Sequence, residues 1–261
     1  MLKTRVITSV IALAVLGVIL FVIPPLMTEL IIGIVVLAGA WEWSGFLGVP
    51  DSLLRSAYVA LIGILIIALY GAQPTASELV LQIAFLWWFI AFIWTMFFPT
   101  PIPSIIRWIC GVLVLVPLFI ALIQLYRIGP EKLLFALLIV WAADAGAYFV
   151  GKLFGRVKLA PNISPGKTWE GVFGGLLVVA LFAIAMVRWT DASLSVLLPF
   201  CLAVAALSVV GDLTVSMFKR TAGVKDSGTL FPGHGGVLDR IDSVAAAAPL
   251  FALGLGWLEL V

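Results

Sequence analysis

Charge is scarce in this chain. Only 11% of its residues are Asp, Glu, Lys or Arg, histidine occurs once, and there are two cysteines. A soluble domain of 261 residues must keep its surface wet, and a chain that is 64% hydrophobic with a mean hydropathy of +1.25 cannot do so. That excludes an ordinary soluble enzyme. Cys110 and Cys201 sit inside apolar runs without any CxxC spacing, so neither a disulfide nor a thiolate metal site is expected; each reads as a small buried apolar side chain. One histidine rules out a histidine-rich metal cluster. Long polar stretches are also missing: only 151–169 and 218–242 qualify, and no soluble domain is inserted between the apolar runs. No fixed-period repeat is present, and no nucleic-acid partner is expected.

What remains is a series of apolar runs, each near the length of about 20 residues that crosses a bilayer as a helix. Spans are expected at 6–23, 26–41, 54–71, 79–98, 106–126, 132–150, 170–189, 194–217 and 243–260. The expected fold is an all-α polytopic membrane protein of about nine transmembrane helices with polar loops on the cytoplasmic face. Residues 1–130 hold about five spans and 131–261 about four, the latter with both polar loops. Lys3 and Arg5 before an apolar run to Ile23 resemble a signal peptide. The run is long, however, no small-residue cleavage site follows, and Pro24-Pro25 leads straight into the next run, so it reads as the first membrane helix.

Charge placement orients the helices. With the N-terminus in the cytoplasm, Lys3, Arg5, Arg55, Arg107, Lys152, Arg156, Lys158, Lys167, Lys219, Arg220, Lys225 and Arg240 fall inside, against Arg127, Lys132 and Arg188 outside. Twelve against three is the expected cytoplasmic excess of positive charge, and it favours nine spans over eight or ten. Trp41, Trp43, Trp87, Trp88, Trp94, Trp108 and Trp189 fall mostly near span ends and read as interfacial anchors. Glu42, between Trp41 and Trp43, is less settled: a place in the headgroup zone is the plainer reading and a functional role the alternative.

Three polar segments meet on the cytoplasmic face. In the first, Asp144, Tyr148 and Lys152 are spaced i, i+4 and i+8 and share one helical face. Asp144 has no basic residue in its own turn, so its partner must come from another segment. The second, Ser164-Pro-Gly-Lys167-Thr-Trp-Glu170-Gly, is no phosphate loop, because Pro161 stands where the GxxxxGK[ST] pattern needs glycine. Ser164, Lys167 and backbone amides at a helix start still have the means to hold phosphate oxygens, and an N-cap with Glu170 in the first turn is the plainer alternative. In the third, Asp212, Ser216 and Lys219 share a face with Arg220 adjoining. Lys225, Asp226, His234, Gly235 and Gly236 form a loop whose glycines let a backbone approach a ligand, and Asp239 and Asp242 open the last helix. Carboxylates without sulfur or clustered imidazoles suit an oxygen-preferring cation such as Mg²⁺, and the surrounding lysines and arginines suit phosphate. These are the parts needed for transfer at phosphorus. His234 fits a contact to nucleotide or phosphate better than a general base, because a phosphate nucleophile is already anionic.

From Ser216 to Asp242 the chain resembles the signature of the CDP-diacylglycerol synthase (phosphatidate cytidylyltransferase) family: S-x-x-K-R, four residues, K-D, then P-G-H-G-G-x-x-D-R-x-D. Ser216, Lys219, Arg220, Lys225, Asp226, Pro232, Gly233, His234, Gly235, Gly236, Asp239, Arg240 and Asp242 fill every fixed position. The segments 144–155 and 164–171 resemble the family's upstream motifs, so the likeness covers the C-terminal half. Two positions depart from it: Val215, where relatives often carry glutamate, and Gly166, where many carry lysine. The resemblance implies transfer of the cytidylyl group of CTP to phosphatidate, in the inner membrane and by a homodimer. It also implies Mg²⁺, one or two cations held by Asp212, Asp239 and Asp242, with Lys167, Lys219, Arg220, Lys225 and Arg240 neutralising phosphates. Another CTP-dependent lipid transferase, such as a polyprenol kinase, is the alternative, followed by a transporter.

Overall fold

The computed structural model describes residues 2–49, 51–189, 192–229 and 235–258, the side chains of residues 2–10, 12 and 189 excepted. The helices are α1 (Leu2–Phe21), α2 (Pro25–Ser44), α3 (Ser52–Tyr70), α4 (Pro74–Met96), α5 (Ser104–Ile128), α6 (Pro130–Phe154), α7 (Trp169–Met186), α8 (Leu194–Thr221) and α9 (Leu238–Trp257). Seven of them, α2 to α8, are long and apolar enough to cross a membrane. The expected nine spans are thereby reduced to seven helices of that character among the described residues. α9 opens with Asp239, Arg240 and Asp242 and continues largely in alanine and glycine, which lowers its apolar character. The architecture is that of an all-α, multi-pass membrane protein, with one addition: an antiparallel hairpin of β1 (Lys158–Ala160) and β2 (Ser164–Thr168).

Local chemistry explains where the helices start. Pro25, Pro74 and Pro130 stand in the first turns of α2, α4 and α6, where a missing N–H costs nothing and a fixed φ favours the helix. Asp51 caps α3 by accepting from the Leu53 amide at 2.8 Å, and Thr168 caps α7 by accepting from the Gly171 amide at 3.2 Å. Two helices run longer than their apolar cores. α6 continues to Phe154 and α8 to Thr221, so Lys152 and Lys219 are helical, as their spacing implies, because a charged residue leaving the membrane does not stop a helix.

The core is built on α5 and α9, in which residues 114–123 and 242–249 form unbroken buried runs. Trp43 and Trp88 are fully buried and Trp87 nearly so, which corrects the expectation of interfacial anchors for these three. Trp43 donates to the Arg107 carbonyl at 3.0 Å and packs on Phe218, with ring centroids 5.0 Å apart. Trp94 meets the same phenylalanine at 6.0 Å, so the C-terminal ends of α2, α4 and α8 gather at one end of the bundle. At the opposite end Arg127 pairs with Glu29 at 2.7 Å over the Tyr70 ring.

Glycine brings the site helices together. A Cβ on Gly211 of α8 would sit 2.9 Å from the Ala246 Cβ of α9 and closer still to the Asp242 carbonyl, so these helices cross in backbone contact beside Asp212 and Asp242. Gly146 of α6 faces Gly174 and Gly175 of α7 in the same way. Gly175→Val therefore drives a side chain into the Ala143 backbone, 2.6 Å from the built Cβ. It is expected to cost about 1–3 kcal/mol, seen as a lower thermal midpoint in detergent, whereas Gly71→Ala, which meets nothing, leaves that midpoint unchanged.

Candidate active site

The Asp144 face of α6, the end of β2, the first turn of α7 and the Asp212 turn of α8 enclose a cavity of about 580 Å³. Asp144, Tyr148 and Lys152 line it from one helix face, as their spacing requires, and Lys152 lies over the Tyr148 ring at 5.7 Å. Lys167 reaches in from β2 and pairs with Asp212 at 2.6 Å. Its position corrects one expectation: Ser164–Lys167 lies on a strand rather than at a helix start, because the helix begins only where Thr168 caps it. Ser164 sits at the far end of β2, paired with Ala160, outside the cavity wall. Glu170 accepts from the Val157 amide at 3.1 Å and so holds the root of the hairpin.

On α8 the predicted face is present. Ser216 donates to Asp212 Oδ1 at 3.1 Å, and Lys219, one turn on, is buried. Lys219 Nζ donates to Asp239 Oδ1 at 2.7 Å and lies 3.9 Å from Asp242 Oδ2. The Asp242 Oδ1 accepts from the Ser243 amide at 2.8 Å. Arg220 turns away from the aspartates: Nε donates to the Ile163 carbonyl at 3.0 Å and a terminal nitrogen to Val224 at 3.3 Å, which ties the hairpin to the end of α8. Lys225 and Asp226 are exposed on the following loop, and Arg240 is exposed in the first turn of α9. His234 lies outside the described residues, as do Pro232 and Gly233. Val215 is fully buried in the apolar core, so no carboxylate is offered from that position.

Asp239 is the most heavily bonded of the three predicted metal ligands. Besides Lys219 it accepts from the Ser227 and Gly236 amides, both at 2.9 Å. Burial opposes its charge, but these three donors outweigh burial and hold its carboxyl below the usual range. Gly235 has φ +81°, a left-handed conformation that suits glycine, and a Cβ there would press on the Asp239 carboxylate.

Electrostatics link the two halves of the site. The charge of Asp212 acts on both Asp144 and Asp242; Lys167 acts on all three carboxylates, and Lys219 on Asp212 and Asp242. Among the described residues no three His, Cys, Asp or Glu side chains form a closed metal cage. Mg²⁺, the cation the resemblance implies, is usually held by one or two carboxylates and completed by water and substrate phosphates. Asp212 and Asp242 fit that part; Asp239, with both oxygens engaged by protein donors, fits it less well.

One residue of the cluster departs from its expected place in the headgroup zone. Glu42 is buried at the end of α2 and accepts from the Val237 amide at 2.9 Å, the Leu238 amide at 2.8 Å and the Ser227 hydroxyl at 2.6 Å. Its only mark in the sequence is a glutamate between two tryptophans with no basic residue in its own turn. Its partners lie at separations of 185–196 residues, beyond any local pattern.

Residues 3–257 match the cytidylyltransferase family. The chain is similar to the phosphatidate cytidylyltransferase of Pseudomonas aeruginosa, at 42% identity over 98% of this chain and 99% of that protein. It is similar to the phosphatidate cytidylyltransferase of Haemophilus influenzae at 37% identity, over 97% and 98% of the two chains. The Staphylococcus epidermidis protein of the same name is 48% identical over 124 residues, 47% of this chain and 48% of its own.

Proposed function

This chain belongs to the cytidylyltransferase family, and from that premise we infer that it transfers the cytidylyl group of CTP to phosphatidate, giving CDP-diacylglycerol and pyrophosphate. The observation that carries the reading at residue level is the joining of Asp212 to Lys167 and of Asp239 and Asp242 to Lys219, beside a cavity at one end of a membrane bundle. A lipid phosphate and a soluble nucleotide have to meet at such a place.

In the reaction an anionic phosphate oxygen of phosphatidate attacks the α-phosphorus of CTP. The new P–O bond forms as the bond to the β-phosphate oxygen breaks, and pyrophosphate leaves with the electron pair. The nucleophile needs no general base, so the task of the protein is positioning and charge neutralisation. Lys167 and Lys219 are held ready by Asp212 and Asp239 and meet charge developing on the phosphates. Lys225 and Arg240 add exposed positive charge near the rim, and His234 contacts nucleotide or phosphate. Tyr148 and Lys152 line the wall of the cavity that receives the lipid phosphate. Asp212 and Asp242 would hold Mg²⁺, which when bound neutralises phosphate charge and polarises the reacting phosphorus. Asp144 adds negative charge on the cavity side of Asp212.

The cytoplasm supplies CTP, so the site faces that side of the inner membrane, with the N-terminus on the same side, as the charge bias supports. The family resemblance supports a homodimer. Purified protein in detergent, given phosphatidate, Mg²⁺ and CTP labelled on the α-phosphorus, is expected to move label into the lipid phase and release unlabelled pyrophosphate. Transfer of the γ-phosphate to a lipid with release of CDP would instead identify a kinase. No lipid label from α-labelled CTP overturns the reading.

A further inference from the structure

Glu42 lies on α2, away from the helices that carry the aspartates and lysines of the site. It is buried, and its carboxylate is spent on the base of one loop. Oε1 takes the Val237 amide; Oε2 takes the Leu238 amide and the Ser227 hydroxyl. Asp239 holds the same two places, through the Ser227 amide and the Gly236 amide. Ser227 is therefore gripped twice, once by each carboxylate, and so is the stretch 236–238.

α9 has no cap of its own. Val237 precedes the helix in helical backbone conformation, and its side chain makes no capping hydrogen bond. Glu42 takes that place from another helix, putting negative charge at the N-terminus where free amides and the helix dipole attract it. The fit is close enough to constrain the motif. A Cβ on Gly236, or on Gly228, would overlap the Glu42 carboxylate. The second glycine of Gly235-Gly236 thus makes room for a protein side chain.

The body of α9 does not need this cap, because residues 242–249 are packed in the core regardless. What the cap controls is the first turn, where Asp239 and Asp242 stand against Lys219. We propose that Glu42 is a positioning residue for cytidylyl transfer: it caps α9 from α2 and, with Asp239, ties Ser227 to the first turn of α9, so that Asp242 and Lys219 face the reacting phosphates. This rests on the transfer reading given above.

The test combines steady-state kinetics of the α-labelled CTP assay with hydrogen exchange of the intact protein in detergent. Glu42→Gln keeps the size but places an NH₂ against hydrogen-bond donors. It is expected to lower kcat about a hundredfold, the scale of a misplacement of about 1 Å, with KM for CTP little changed. Amide exchange should quicken in 225–242 and stay as it was in α5. Gly236→Ala should reproduce both effects, and in a Glu42→Ala background it should add nothing, because the group it displaces is gone. Ser227→Ala, which removes one donor, should move both readouts the same way and covers the case in which Glu42→Gln fails to fold. A role confined to folding would reduce the yield of folded protein and leave kcat per folded molecule intact. Wild-type kcat in Glu42→Gln, or in Gly236→Ala and Ser227→Ala together, overturns the proposal, as does full additivity of Glu42→Ala with Gly236→Ala. Wild-type protein without turnover would sink the transfer reading instead; the exchange pattern would then still report on the clamp.

Discussion

Asp242→Asn is expected to abolish turnover in a protein that still folds. The side chain is buried in the first turn of α9, with Oδ1 on the Ser243 amide at 2.8 Å and Oδ2 facing Lys219 at 3.9 Å. Asparagine has the same shape, and its carbonyl oxygen keeps the bond to Ser243. What disappears is an ionisable carboxyl group beside Asp212. Asp239 has both oxygens committed to Lys219 and two amides, so it offers no ready substitute. If Asp242 is one of two carboxylates that hold the proposed cation, its loss should reduce kcat at least about a thousandfold, or about 4 kcal/mol in the barrier. The labelled-CTP assay measures the loss, and an unchanged Tm in detergent establishes that the fold survives. A folded, active Asp242→Asn protein would remove Asp242 from the site.

Lys219→Met should lose activity and stability together. Lys219 is almost fully buried and contacts both Asp239 and Asp242, so its removal leaves two carboxylates facing each other without their shared cation. Breaking a buried ion pair from one side costs about 3–5 kcal/mol, because the remaining charge stays desolvated. A lower Tm is the expected reading, with cytidylyl transfer below detection. The diagnostic variant is Lys219→Met combined with Asp239→Asn, which removes the stranded charge and should recover part of the Tm but none of the turnover. If the single variant melts like the wild type, the Lys219–Asp239 pair contributes nothing to the fold.

Both residues are legible in the sequence alone, since Lys219 and Asp242 stand in a dense motif in a chain otherwise poor in charge. The helix period also predicts the faces correctly: Asp144, Tyr148 and Lys152 line one cavity wall, and Asp212 and Ser216 are in contact. Other features are hidden for identifiable reasons. Trp43 and Trp88 read as interfacial anchors because tryptophan near a span end looks the same whether it meets headgroups or a neighbouring helix. The β1–β2 hairpin has only three and five residues, too few for an alternating pattern, and it exists because its root is held by Glu170 and its turn by Arg220. Polar composition starts the polar stretches at 151 and 218 because it marks the end of a membrane, whereas α6 and α8 continue to Phe154 and Thr221, because a helix ends only where its backbone finds another partner.

By itself the sequence determined a multi-pass helical membrane protein with its chemistry at one end, because hydrophobic length and charge placement act locally along the chain. Which groups share a site was decided only by packing. Glu42 reaches a loop 185 residues away, Lys167 pairs with Asp212 across a strand and a helix, and Asp239 takes the Ser227 and Gly236 amides. A buried carboxylate takes the donors that folding brings to it, and those are set by which helices can approach, here through glycines 146, 174, 175 and 211.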